Sequence, residues 1–181
     1  MRLVRSRSCK AASSSDAAPD RGVAHVLDRP GGGRSRCERV HEMLRARTWK
    51  PSDRKYVSKG VCFSDMICPN EDPIFDAVGD LLEGSIRYTR IQLNRYDPKR
   101  WPNAEPHRDS KNAGDSRMIV MGDYQGGDFL IEDHGKTAAP TRIRAKYRWI
   151  AFDGRNRHWT TPISSGIRYS IVAFVFADRT G

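Results

Sequence analysis

The chain reads as a mainly-β protein: an antiparallel sandwich or barrel with one or two helices packed outside it. Three observations carry that reading. From residue 86 onward, apolar and polar residues alternate in short runs of strand length. Turn signals built on Gly, Asn and Asp separate those runs. Helical spacing is confined to two stretches ahead of them. At 181 residues the chain has the length of one domain with one sizeable core.

Residues 1–33 are Ser- and Ala-rich and end on Pro30 and three glycines, so they are expected to be a disordered or targeting arm. The first 15 residues carry Arg2, Arg5, Arg7, Lys10 and five serines with no acid, a composition like that of an organelle transit peptide. Residues 34–181 are then the folded domain with its N-terminal helices. Residues 34–48 predict a short basic helix with Val40, Met43 and Leu44 on one face, ended by Pro51. Asp72-Pro73 opens a second helix, in which Ile74, Phe75, Val78, Leu81 and Leu82 recur at helical spacing and Gly84 lies just past the end. The period then changes. Residues 86–96 alternate as a half-buried strand does, and further strands are predicted at 117–122, 128–132, 147–152, 158–161 and 168–176. Turns are predicted at Asn112-Ala113-Gly114, Gly126-Gly127, Asp153-Gly154 and Ser165-Gly166. Short strands at this pitch argue for a sandwich or barrel, and no internal repeat is present.

Composition removes several classes. Hydrophobic residues make up 38% of the chain and aromatics 9%, too many for a wholly disordered protein. The longest apolar run, residues 171–177, has strand length, so no stable membrane insertion is expected. Cys9, Cys37, Cys62 and Cys68 form no CxxC pair, which disfavours a zinc ribbon, and they are too sparse for a disulfide framework. Their sparseness points to an intracellular, reducing setting, with nucleus and organelle both open. The formal charge of +10 is uneven: residues 1–60 hold 15 Lys/Arg against 6 Asp/Glu, and residues 61–181 hold 17 against 16. A basic arm of this kind is attracted to nucleic acid or anionic membranes, or is simply a solvated extension.

The residues that point to chemistry lie in the strand-rich part. His107-Arg108-Asp109 is an H-x-D tripeptide, and in an extended segment residues i and i+2 project to the same side. His158 follows 51 residues later and Arg168 ten residues after that, with Ser170 two further on. Two His and one carboxylate on one face of a metal leave positions open, the arrangement of non-haem Fe(II) oxygenases. An arginine supplies the two-pronged contact that a cosubstrate carboxylate needs, and a hydroxyl on the same strand face adds a hydrogen bond. H-x-D alone is a weak signal; the ordered set is much stronger. His25 and His41 belong to the basic region and receive no role. His134 is the main rival ligand, although its Asp133-His134-Gly135 context reads better as a hairpin turn.

Over roughly residues 87–176 the chain resembles the 2-oxoglutarate- and Fe(II)-dependent dioxygenase superfamily. The resemblance implies a double-stranded β-helix, or jelly roll, with one or two flanking helices. It implies His107, Asp109 and His158 as the iron ligands and catalytic centre, and Arg168 with Ser170 as the site for the distal carboxylate of 2-oxoglutarate. Leu93-Asn94-Arg95-Tyr96 looks like the N-x-Y of AlkB-like members, which implies that Asn94 and Tyr96 touch the cosubstrate; a sheet-surface Asn and a packed Tyr are the alternative. Residues 121–129 and 152–172 are similar to the TET/JBP-type branch, particularly its compact protist and algal forms. That branch implies oxidation of the methyl group of a pyrimidine base, with 2-oxoglutarate and oxygen as small-molecule partners and DNA or RNA as the macromolecular one. Ile119, Val120, Phe129, Ile150, Phe152, Ile171 and Phe174 are expected to wall the barrel. Arg108 and Arg117 either meet phosphates or pair with Asp115 and Asp109. A protein or small-molecule hydroxylase with the same metal site stays open, and a non-catalytic jelly-roll module is disfavoured because every ligand position is filled. The chain is expected to be a monomer.

Overall fold

The computed structural model describes residues 24–30, 34–49, 61–63, 72–82, 87–99, 103–133 and 139–177. In chain order the elements are β1 (Ala24–Pro30), α1 (Arg34–Ala46), β2 (Val61–Phe63), α2 (Pro73–Leu82), β3 (Arg90–Tyr96), β4 (Asn112–Met121) and β5 (Tyr124–Gly126). They continue with β6 (Phe129–Ile131), β7 (Thr141–Ile143), β8 (Arg148–Phe152), β9 (His158–Thr160), β10 (Ile163–Gly166) and β11 (Arg168–Phe176). The larger sheet has the order β1-β8-β4-β11-β3-β2, and every pairing in it is antiparallel. A smaller sheet, β7-β6-β9, faces it, and β10-β5 form a two-stranded ribbon. This is the double-stranded β-helix that the family resemblance implies. No described helix is long and apolar enough to cross a membrane.

The strand period of two gives the larger sheet two apolar faces. On one, Ile119 and Met121 of β4, Trp149 of β8 and Tyr169, Ile171 and Ala173 of β11 pack against Val40 and Leu44 of α1 and Ile74, Val78 and Leu81 of α2. On the other, Met118 and Val120 of β4 and Ile150 and Phe152 of β8 meet Phe129 and Ile131 of β6 and Ile143 of β7. Ile119 and Ile171 therefore belong to the helix–sheet core and not to the barrel wall, because their positions along β4 and β11 are odd where the wall positions are even.

The helices form for the reasons their sequences give. Asp72 caps α2: its carboxylate accepts from the Ile74 amide (3.0 Å), and Pro73 takes the first-turn position where its missing N–H costs nothing. Arg47, just past α1, is ion-paired to the same carboxylate and so ties the two helices together. The Trp149 indole donates to the Leu81 carbonyl (3.2 Å), pinning the end of α2 to the sheet. Cys37 is buried in this core, and burial pushes its thiol pKa up, so it serves as packing.

Two further expectations need correction. Residues 24–30, assigned to the unpacked arm, form β1, which pairs with β8; Val26 and Ala24 are drawn in by the barrel core they touch. The remainder of the arm lies outside the described residues. Asn112-Ala113-Gly114 is not a turn but the start of β4, where Gly114 at φ 69° sits at a register shift against β11. Its turn chemistry marks a bulge. The short strands β2, β5, β7 and β10 are too brief for alternation to reveal.

The edge strand yields a stability prediction. A chain starting at residue 34 lacks Val26 and the β1–β8 ladder. It should unfold in urea with about 1–3 kcal/mol less stability than one starting at residue 24. Equal midpoints would mean that β1 adds nothing to the barrel.

Candidate metal centre and cosubstrate cavity

His107 and His158 are brought together by backbone pairing. The His107 amide donates to the His158 carbonyl (3.0 Å) and the His158 amide donates back to that of His107 (2.9 Å). His107 thereby extends the smaller sheet beyond β9. The two rings lie 4.4 Å apart between centroids. Asp109, two residues on, is held by its amide to the Gly154 carbonyl (2.8 Å), and its carboxylate comes 3.7 Å from His158 Nε2. Ligand atoms of His107, Asp109 and His158 all lie within 4.8 Å of one another.

The tautomers are set locally. His107 Nδ1 lies 2.7 Å from the Glu105 carbonyl, and His158 Nδ1 lies 2.8 Å from that of Asn156. A carbonyl accepts only, so each Nδ1 carries the proton and each Nε2 presents a lone pair to the cluster. His158 is buried against Phe152 and Phe129, with ring centroids 5.1 and 5.8 Å away. Burial and then the neighbouring His107 hold its pKa below the usual imidazole value, which keeps it neutral and able to ligate. These are the properties a divalent metal asks of a two-His, one-carboxylate set, and the cluster fits one.

Arg168 opens β11 and is 1% exposed. It lines a cavity of about 390 Å³ together with Val120, Tyr124, Gly127, Phe129 and Ile150. That volume lies within the roughly 300–1,000 Å³ of small-ligand sites. Its Nε is buried with no hydrogen-bond partner, and its guanidinium sits 4.8 Å from the centre of the Tyr96 ring. Burial raises the Tyr124 hydroxyl pKa, and the Arg168 charge beside it opposes the rise. A buried cation with an unanswered donor fits a carboxylate ligand. Gly127, at φ 73°, makes room: a Cβ there would stand 2.8 Å from Ile163 Cγ2 and 3.1 Å from Arg168 Cδ.

The structure thus brings His107, Asp109 and His158 into one cluster and buries Arg168 in the barrel. It does so in adjoining compartments: the cavity lining includes Arg168 but none of the three cluster residues, and Phe129 borders both. Ser170, Asn94 and Tyr96 share the barrel side of the sheet with Arg168, since Ser170 registers with Asn94 and Arg168 with Tyr96 across β11 and β3. None of the three lines the cavity. Asn94 Nδ2 donates to Ser170 Oγ (3.1 Å), and the Gln92 amide donates to Asn94 Oδ1 (3.0 Å). Arg117 pairs with Asp115 at 3.6 Å, and Arg108 donates to the Arg155 carbonyl at 3.0 Å. His134 lies outside the described residues. Sequence reasoning passed over Tyr124, Gly127 and Gly154. Their one signal was the Tyr-Gln-Gly-Gly run and the Asp153-Gly154 turn, which read as connections and not as walls.

No family model matches the chain, and no curated protein matches it. Solved structures match it in fold. An oxidoreductase of the 2OG-Fe(II) oxygenase family from Burkholderia pseudomallei is 18% identical over 84% of this chain and 83% of its own, with a TM-score of 0.60. A prolyl hydroxylase from Trichoplax adhaerens, in complex with a hypoxia inducible factor peptide, is 12% identical over 88% and 86%, with a TM-score of 0.59. A viral collagen prolyl hydroxylase from Paramecium Bursaria Chlorella virus-1, in its 2OG complex, is 17% identical over 86% and 96%, with a TM-score of 0.53. A TET structure in complex with 5mC DNA is 21% identical over 49% of this chain and 34% of its own, with a TM-score of 0.42. The chain has the fold of the 2-oxoglutarate/Fe(II) oxygenases, and its His-Asp-His cluster sits on that fold.

Two substitutions separate the compartments. Asp109→Ala should weaken Mn(II) binding more than about 100-fold by calorimetry, exceeding the loss typical of an outer-shell partner. Its unfolding midpoint should barely change, because the side chain is 33% exposed. Gly127→Ala should instead leave Mn(II) affinity intact and weaken 2-oxoglutarate binding about tenfold, through displacement of Arg168. Equal effects of both variants on the metal would mean that the cluster and the cavity are not separable.

Proposed function

We propose that the chain is an Fe(II)- and 2-oxoglutarate-dependent dioxygenase that oxidises a substrate C–H bond, and that this bond lies in the methyl group of a pyrimidine base in nucleic acid. The observation that carries the oxygenase reading is the convergence of His107, Asp109 and His158 at one end of a barrel whose interior buries Arg168. His107, Asp109 and His158 would hold the metal. When bound, Fe(II) and 2-oxoglutarate supply the oxidation, with the cosubstrate leaving as succinate and carbon dioxide. The chain contributes orientation. The Glu105 and Asn156 carbonyls fix the two imidazoles, Arg168 receives the distal carboxylate, and Phe129 and Phe152 keep water from the buried face of His158.

The substrate reading rests on sequence. Residues 121–129 and 152–172 resemble the TET/JBP-type branch, and residues 1–60 carry a surplus of nine positive charges, 15 minus 6. A base inside a duplex cannot reach a ligand cluster at a barrel end, so it is flipped out or taken from a single strand. A second reading is hydroxylation of a protein side chain or small molecule. It is favoured by the fold likeness to prolyl hydroxylases over most of this chain, one of them in complex with a peptide.

The test is incubation of the chain with Fe(II), 2-oxoglutarate and methylated DNA or RNA, followed by digestion to nucleosides and mass spectrometry, with Asp109→Ala as the control. The expected outcome is an oxidised 5-methylpyrimidine that depends on Asp109. Succinate formation with no oxidised nucleoside in any sequence context would move the assignment to the second reading.

A further inference from the structure

The cavity holding Arg168 opens to solvent where Gln125, Gly126, Arg144 and Lys146 stand exposed, between β5 and the β7–β8 turn. That opening is at the far end of the barrel from the metal cluster. Along β4, Ser116 lies at the cluster end, its Oγ 3.3 Å from a Cβ built on Gly154, while Val120 lines the cavity four residues on. At about 3.3 Å per residue the separation is roughly 13 Å. On β6, Ile131 registers with His158, and Phe129, at the other end of the strand, lines the cavity.

Lys146 is held at this opening by an unusual backbone. Tyr147 adopts φ 58°, a left-handed conformation that strains a bulky residue and persists only where its surroundings impose it. Here the Tyr147 amide donates to the Val120 carbonyl (2.9 Å), and its hydroxyl accepts from the Gly122 amide (3.3 Å). The turn so fixed sets Lys146 Nζ 4.9 Å from the centre of the Tyr124 ring and 5.9 Å from that of Tyr147. The neighbouring guanidiniums share one carboxylate. Asp128 accepts from Arg144 Nε at 3.0 Å on both oxygens and has Arg142 at 3.6 Å, whereas Lys146 has no carboxylate partner among the described residues. The result is a lysine cation without a carboxylate at the mouth, beside the Tyr124 ring, on a cavity that buried Arg168 also lines.

We propose that this opening is the entrance by which the dicarboxylate cosubstrate reaches Arg168, and that Lys146 captures it there, leaving the end of the barrel at His107 and Asp109 to the oxidised substrate. The proposal rests on the oxygenase reading. Lys146 acts as a steering residue and touches no reacting atom: a fixed cation at a narrow mouth raises the local concentration of a dianion and hence its association rate.

The experiment is NMR line-shape analysis of 13C-labelled 2-oxoglutarate with the full chain loaded with redox-inert Zn(II), which yields both rate constants. Lys146→Glu should slow association about tenfold at low salt, and the difference should fall below about twofold near 1 M salt, where screening acts within about 3 Å. Arg142→Glu changes charge equally at an exposed site outside the cavity lining and should alter association less than about twofold. Gln125→Trp narrows the mouth without touching Arg168, so it should slow association and dissociation together and leave the affinity unchanged. Unchanged rates in Gln125→Trp overturn the entrance. An unchanged association rate in Lys146→Glu, or an equal loss in Arg142→Glu, overturns the capture role. Absence of 2-oxoglutarate binding by the unsubstituted Zn(II)-loaded chain overturns instead the oxygenase reading beneath it.

Discussion

The site depends on two reciprocal backbone hydrogen bonds between His107 and His158, 3.0 and 2.9 Å long. They join segments 51 residues apart in the chain and fix which faces of two rings meet. The rest follows locally. Each imidazole is turned by the carbonyl two residues before it, Glu105 in one case and Asn156 in the other, so the same small motif is used twice. Asp109 joins the cluster because i and i+2 share a side, and because Gly154 lets the opposing turn approach it: a Cβ on Gly154 would lie 3.3 Å from that of Asp109. A side chain at residue 154 would therefore push on the metal cluster without touching a metal.

The larger sheet serves two purposes through one alternation. One set of positions along β4, β8 and β11 feeds the helix–sheet core, which makes the sheet a rigid platform. The intervening set faces the barrel, and at Ser170 and Arg168 it buries polar groups in place of apolar ones. Arg168 is the costly member. A buried guanidinium with an unanswered Nε is destabilising unless charge and hydrogen bonds answer it. The Tyr96 ring offsets part of that cost.

Much of this was legible in the sequence, and for a physical reason. Alternation over a long strand such as β11, together with the i, i+2 rule, marks both Arg168-Tyr169-Ser170 and His107-Arg108-Asp109, since these depend only on local geometry. What could not be read depends on distant partners. β1 is a strand because β8 offers it an edge and the barrel core accepts Val26. Gly114 carries turn chemistry but is used as a bulge. Ile119 and Val120 look alike in sequence, yet one packs on helices and the other lines the cavity, a distinction that exists only once the sheet has two covered faces. Lys146 reads as one more surface cation until the φ of Tyr147 and the Tyr124 ring are known.

The most direct measurement is a crystal structure of the chain grown anaerobically with Fe(II) and 2-oxoglutarate. The predicted result is one iron bonded to His107 Nε2, an Asp109 oxygen and His158 Nε2, with the distal carboxylate of 2-oxoglutarate on Arg168. Iron bound elsewhere, or 2-oxoglutarate held with Arg168 unengaged, would contradict it.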